Sequence, residues 1–182
     1  SQLSLAKYLF ICSKEDNPVL KTSDIAGFMR HILERIDLSR DLHFYTKTTI
    51  DTLDYSGTDI NSGSKVAIAA AGDKKRELRS ELGSSFNLPR PFDKYKMVMP
   101  GVLAVEAPAF ISYEQTEEEI AILNDALSTT DLDDIPMFIL CDNAGFVAEN
   151  INNFVWVSFT RSNPSHDIYG INSFTEHKHW GC

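Results

Sequence analysis

Cysteine is scarce in this chain, and its three thiols, Cys12, Cys141 and Cys182, form no CxxC pair. That removes the usual frameworks of zinc ribbons, dithiol redox motifs and disulfide-stapled secreted domains. Cys12 and Cys141 each close an apolar run, where a thiol serves as a small buried hydrophobe, so a reducing cytoplasm is the compartment expected. Long apolar runs are missing too. None approaches the roughly 18 residues of a spanning helix, and no basic segment followed by an apolar stretch opens the sequence as a secretory signal would. The expectation is a chain without an integral membrane segment. Positive charge is also short: 17 Lys and Arg against 26 Asp and Glu leave a net charge of −9. The acids crowd at Glu114, Glu117, Glu118 and Glu119 and at Asp131, Asp133 and Asp134. Such a field repels phosphate backbones and anionic lipid, which argues against nucleic acid as a partner. The basic cluster Lys74, Lys75, Arg76, Arg79 is too short to reverse it.

What the chain has is enough apolar material for a full core, 43% hydrophobic and 10% aromatic over 182 residues, in the range of one domain or a domain with an extension. It also has an internal repeat. Tyr8-Leu9-Phe10-Ile11-Cys12 and Met137-Phe138-Ile139-Leu140-Cys141 each precede a polar stretch, a helix pattern and an Arg-to-Asp turn. Ile25 pairs with Ile151, Phe28 with Phe154, Arg35 with Arg161 and Asp41 with Asp167, all at one offset of 126 (151 − 25, 167 − 41). In the first copy Ile25, Phe28, Met29, Ile32, Leu33 and Ile36 recur on one helical face, with Ser23 placed as the cap. The second copy repeats the face with Ile151, Phe154, Val155 and Phe159. A period-two strand follows each helix, Leu42 to Tyr45 and Ile168 to Ile171.

Two β-α-β units with buried strands predict an α/β fold: a three-layer α/β/α arrangement on one mixed, largely parallel sheet. Further strands are predicted at Lys65 to Ala70 and Val102 to Ala107, and a helix from Thr116, where Glu119 completes a capping box. Residues 83–100, rich in Ser, Pro and Lys, read as a surface excursion. No domain boundary is evident, because both copies need the middle strands to complete a sheet.

Chemistry has few places to sit. The loop Gly57-Thr58-Asp59-Ile60-Asn61-Ser62-Gly63-Ser64-Lys65 combines two glycines with a lysine at a strand start, which suits an anion, although the glycine spacing is not that of a Walker loop. The plainer alternative is a turn ending in a solvated lysine. Arg35 with Asp41, and Arg161 with Asp167, are expected to close equivalent turns by charge-assisted pairs, since a catalytic group has no reason to occur twice. His177, His179 and Cys182 offer three donors that could ligate zinc, without a specified fourth. His31 and His43 have no serine or carboxylate partner at triad spacing. His166 reads as a turn cap, and Trp156 and Trp180 as core filling with interface anchoring as the alternative.

Four stretches together resemble the carboxyl-terminal domain of the UbiD family of aromatic and α,β-unsaturated acid decarboxylases: Gln2-Leu3-Ser4-Leu5-Ala6-Lys7; Asp41-Leu42-His43-Phe44; Asp51-Thr52-Leu53-Asp54-Tyr55-Ser56-Gly57 with Gly63-Ser64-Lys65; and Val155-Trp156 with Thr160-Arg161-Ser162-Asn163-Pro164-Ser165-His166-Asp167. The resemblance covers nearly the whole of residues 1–182. It implies a fragment of a longer enzyme whose catalytic arginine and glutamates lie in a preceding flavin-binding domain. It implies further a prenylated FMN cofactor with a divalent metal in the full-length protein and none bound by the fragment, which alone would be inactive. Partners would be its own amino-terminal flavin-binding domain and further copies in a homo-oligomer, and the pathway by analogy ubiquinone or menaquinone biosynthesis. Lys65 is the residue expected to approach the flavin phosphate. The chain departs from the family pattern after its core strands, reading Ser13-Lys14-Glu15-Asp16-Asn17 and Asp142-Asn143-Ala144-Gly145 where many members carry an acidic run. The rivals are a purely structural assembly module and a freestanding nucleotide or metal binder.

Overall fold

The computed structural model describes residues 5–182, and Gln2 to Ser4 of the first family-like stretch fall outside them. Strands β1 (Tyr8–Cys12), β2 (Leu42–Thr48) and β3 (Gly63–Ala70) form one three-stranded sheet in the order β1-β3-β2. Strands β4 (Tyr95–Met99), β5 (Val102–Glu106) and β6 (Met137–Cys141) form a second in the order β4-β5-β6, and β7 (Phe174–Glu176) with β8 (His179–Gly181) makes a hairpin. Helices α1 (Ile25–Leu33), α2 (Tyr113–Leu127), α3 (Ala144–Val147), α4 (Ile151–Thr160) and α5 (Pro164–Asp167) complete the α/β architecture.

Each three-stranded sheet is mixed, as expected, but the strands do not join one largely parallel sheet. β1 runs parallel to β3 and β2 antiparallel to it. The cause is connectivity. β2 reaches β3 through a loop rather than a helical crossover, and neighbours joined that way pair antiparallel, which seats β3 between β1 and β2. The same logic orders the second sheet. Pro100-Gly101 turns β4 back into β5, with Gly101 in the left-handed region at φ 78°. α2 then carries the chain across to β6, which lies parallel to β5.

The predicted strand Ile168 to Ile171 has no strand pairing. A side chain at Gly170 would stand 2.5 Å from the Cys182 Cβ and 2.9 Å from the Trp180 ring, so this segment packs flat against the chain end. Residues 83–100 are likewise no mere excursion: they bury Leu88 and Phe92 and contribute β4.

Val102 to Val105 of β5 are fully buried, and the two-residue alternation of the strand divides them. Val102 and Ala104 join a cluster with Met29, Leu33, Ile139, Ala144, Val147 and Phe154, while Leu103 and Val105 pack with Leu88, Phe92, Leu123 and Leu127. The first sheet contributes Leu42, Val66, Ile68 and Ala70 to a third cluster with Ile32 and Ile36. Helix α1 therefore touches two cores with two faces. Phe28 packs partly buried at the third cluster, apart from fully buried Phe154 in the first.

The helix starts keep the offset of the repeat. Asp24 caps α1 by accepting from Gly27 N, and Asn150 caps α4 by accepting from Asn153 N. Asp24 thus takes the place expected for Ser23. α2 begins three residues before Thr116, at Tyr113, because Ser112 accepts from Gln115 N and closes the first turn there.

The carboxyl end of α1 is closed by Arg76, whose Nη1 donates to the Leu33 and Ile36 carbonyls at 2.9 and 2.7 Å while Nε donates to Asp133 at 2.8 Å. Removing that guanidinium leaves two helix-end carbonyls without their donor. Arg76→Ala should lower stability by about 2–3 kcal/mol in urea unfolding, and Arg76→Lys should recover less than half of it.

Candidate functional site

Three of the four family-like stretches meet at the amino ends of β1 and β3. Lys7, immediately before β1, donates from Nζ to Ser56 Oγ at 2.8 Å and to the Thr160 carbonyl at 3.3 Å. It also forms an ion pair with Asp54 at 2.9 Å, with side chains only 8% and 17% exposed. Ser56 Oγ lies 2.6 Å from Asp54 Oδ1 and 3.1 Å from the Ser162 carbonyl. Tyr8 Oη and Ser162 Oγ are 2.5 Å apart. Next to them Ser64 donates to Asn163 Oδ1 and accepts from Ser165 N at 2.8 Å. A strand start, a loop and the end of a helix are thereby tied into one polar cluster. The Asp41 to Phe44 stretch is not in it, since Leu42 pairs with Ile68 toward the far end of β3.

Burial and partners set the charge states. Burial pushes the Asp54 carboxyl up, but the Ser56 hydroxyl, the Lys7 ammonium and the Ser56 amide outweigh it and hold the group below its ordinary value. Burial, aided by Asp167 and Asp54 and opposed by Ser162, raises the Tyr8 phenol to about 12, so it stays a neutral hydrogen-bonding group. Cys141 is likewise pushed up by burial, to about 11, which keeps its thiol protonated and unreactive near neutrality.

Lys65 lies half-buried at the start of β3, in register with Tyr45 of β2. The loop before it is not an open anion cradle. Thr58 and Asp59 N–H donate to the Ser62 carbonyl, Ser62 N–H donates to the Asp59 carbonyl and Ile60 N–H to the Asp59 side chain. Its glycines answer to packing: a Cβ on Gly57 or Gly63 would stand 2.5 or 2.8 Å from Ile50 Cδ1, and Ile50 is buried.

The expected Arg–Asp turn pairs do not form in either copy. Arg35 donates to the Gly72 and His31 carbonyls and to Glu34, and Arg161 lies over the Trp156 ring at 4.3 Å. The aspartates instead cap their own turns. Asp41 Oδ2 accepts from Asp37 N at 2.9 Å, and Asp167 Oδ2 accepts from Asn163 N at 2.5 Å. The backbone bonds from Asp41 to Asp37 and from Asp167 to Asn163 match as well. The repeat is thus reproduced bond for bond at its turns, by a side chain reaching back four residues.

Other singled-out residues disperse. His177 is exposed in the β7–β8 turn, His179 contacts the Ser39 carbonyl, and among the described residues no three His, Cys, Asp or Glu converge as a metal would require. His166 bonds Ser165 and rests against the Tyr113 ring, His43 faces His179, and His31 is buried on α1. Trp180 meets Phe44 edge-on beside the third cluster, whereas Trp156 is 49% exposed and does not fill the core. Lys7, Asp54 and Ser162 had no individual signal in the sequence beyond their place in family-like stretches, and Tyr8 none beyond its place at the head of the first apolar strand.

Residues 1–70 match the family model described as the 3-octaprenyl-4-hydroxybenzoate carboxy-lyase C-terminal domain. The chain is 30% identical over 178 residues to a 4-hydroxybenzoate decarboxylase subunit of Chlamydia pneumoniae, across 97% of this chain and 28% of that protein. It is 29% identical over 181 residues to an uncharacterized protein of Chlamydia trachomatis serovar D, with the same two coverages of 97% and 28%. The chain therefore spans 28% of the length of each of these relatives.

Breaking the Lys7–Asp54 pair from one side strands a buried charge, so Lys7→Met should cost about 3–5 kcal/mol in chemical unfolding. The depressed Asp54 value adds a pH signature. Its stabilisation is present above the ordinary aspartate range near 3.8 and is lost as pH falls through the lower folded value. Asp54→Asn should flatten that part of the acid limb of a stability–pH curve.

Proposed function

From the chain's kinship with the carboxyl-terminal domain of UbiD-type carboxy-lyases, we propose that it is the assembly and cofactor-closing part of a non-oxidative decarboxylase of aromatic or α,β-unsaturated acids. The observation that carries this is the convergence of the Lys7, Asp51 to Gly57, Gly63 to Lys65 and Thr160 to Asp167 stretches on one hydrogen-bonded cluster. Family-like residues far apart in sequence are spent there on one another, which is what a supporting platform needs. The reacting groups and the flavin site are assigned to the remainder of a longer protein, in a cytoplasmic homo-oligomer serving ubiquinone or menaquinone synthesis.

Prenylated FMN, with its divalent metal, would supply the electron sink for departure of carbon dioxide. On this chain Lys65 is the residue assigned to the flavin phosphate. Support for that role comes from the family-like Gly63-Ser64-Lys65 stretch alone. The loop amides add nothing to it, since those of Thr58, Asp59, Ile60 and Ser62 are bonded within the loop.

The purified 182-residue chain supplied with the cofactor should show no turnover, and measurable decarboxylation would overturn the division of labour. In the full-length enzyme, Lys65→Ala should lower flavin retained per protomer, read by absorbance, and the rate with it by about tenfold or more, the worth of one charge-assisted hydrogen bond. Unchanged retention and rate would leave this domain an assembly role only.

A further inference from the structure

We propose that the edge of β6 and the unpaired segment Ile168 to Ile171 form a slot for one further strand, supplied in extended form by the longer protein from outside residues 1–182. This rests on reading the chain as part of a longer protein, and not on what that protein catalyses.

The internal repeat sets the template. In the first copy β3 lies between β1 and β2, parallel to one and antiparallel to the other. In the second copy β6 stands where β1 does, and Ile168 to Ile171 follows the Asp167 turn as β2 follows Asp41. Among the described residues no strand lies between them: β6 pairs with β5 alone, and the backbone of Tyr169, Gly170 and Ile171 bonds no other backbone group. Where the first copy runs on into β3, the second makes the β7–β8 hairpin, which lies against Ser39 and Phe44 of the first copy.

The place left between them is open space. One cavity of about 860 Å³ is lined by residues 137–142 and by residues 168–172, each as an unbroken run. A strand face meets only every second residue, so a cavity touching all of β6 runs along its edge. Met137 N–H donates to the Gly101 carbonyl at 3.3 Å, and the Cys141 carbonyl accepts from Ala107 N–H at 3.0 Å. In a parallel ladder the alternate residues Met137, Ile139 and Cys141 therefore turn their backbone groups to β5, and the N–H and C=O groups of Phe138 and Leu140 point the other way, along the cavity.

These features select the occupant. Donors and acceptors alternating along a line are matched by an extended backbone, as in recognition by strand addition. Buried Ile32 of α1 and Leu123 and Leu127 of α2 wall the cavity, so the entering side chains must be apolar as well. Met137-Phe138-Ile139-Leu140-Cys141 itself reads as a sheet-interior strand, yet only Ile139 is buried, against four of five residues in β5. An apolar strand left at an open edge invites pairing. The longer protein is the source because a strand on the same polypeptide enters at a high effective concentration that a separate chain lacks, and this chain spans only 28% of its relatives.

Amide hydrogen exchange, resolved to single residues, tests this. In the 182-residue chain Ile139 and Cys141 should exchange slowly, and Phe138 and Leu140 about tenfold or more faster. A synthetic peptide of the β3 sequence, Gly63 to Ala70, is the probe for the slot. At millimolar concentration it should slow Phe138 and Leu140 by about tenfold while Ile139 and Cys141 stay as they were, and the same peptide carrying Val66→Pro and Ile68→Pro should not. In the longer protein Phe138 and Leu140 should be slow without any peptide. Four results would overturn the proposal. Phe138 and Leu140 as slow as Ile139 in the 182-residue chain would mean that its own edges close the slot. Slowing that grows with the concentration of that chain would give the slot to a second copy. Fast exchange in the longer protein would leave the slot empty, and equal slowing by the proline peptide would remove the strand geometry. Neither flavin nor turnover enters these readouts, so such a failure is distinct from failure of the decarboxylase assignment.

Discussion

The Lys7–Asp54 ion pair is the constraint on which the candidate site depends. A lysine just before a strand is ordinarily a solvated surface group, and burying it is tolerable only when a carboxylate and further acceptors surround it. Here Asp54, Ser56 and the Thr160 carbonyl do so at 2.9, 2.8 and 3.3 Å. Because those partners belong to a loop and to a helix end, satisfying one ammonium fixes three segments together. The exposed ring of Tyr55 and the position of Arg161 follow from that arrangement.

Most of the regular structure was legible in the sequence, and the reasons are local. Helical periodicity and the matched positions of the repeat placed α1 and α4 at one offset, and an error of a single residue in the α1 cap arose because Ser23 and Asp24 can both accept from a helix amide. Strand pairing was less accessible. Which strands become neighbours depends on whether a connection crosses the sheet or turns back, and apolar pattern does not report that. The turn pairs show the same limit. Arg35 and Arg161 were expected to reach Asp41 and Asp167, but an aspartate can satisfy backbone amides of its own turn at little entropic cost, and the arginines found carbonyls and an indole instead. The polar cluster was visible only as family-like stretches, because its members are joined through space at separations such as 49 and 106 residues.

The cluster's place in the fold bears on its role. Ligand crevices of open α/β sheets lie at the carboxyl ends of parallel strands. This one gathers at the amino ends of β1 and β3, and its hydroxyls, ammonium and carboxylate are largely engaged with each other. Such an arrangement suits a rigid support better than a reacting centre, and it is consistent with a chain that spans 28% of its relatives.

Helix α1 sends Ile32, joined by Ile36 from the turn after it, into the cluster of the first sheet and Met29 and Leu33 into a cluster shared with the second. A nine-residue helix so placed is a keystone. Neither sheet can melt without stripping one side of it, so the two arches should fall in one cooperative event rather than in sequence. Drift in its sequence is also hemmed in from both directions, because a substitution that suits one arch must not crowd the other.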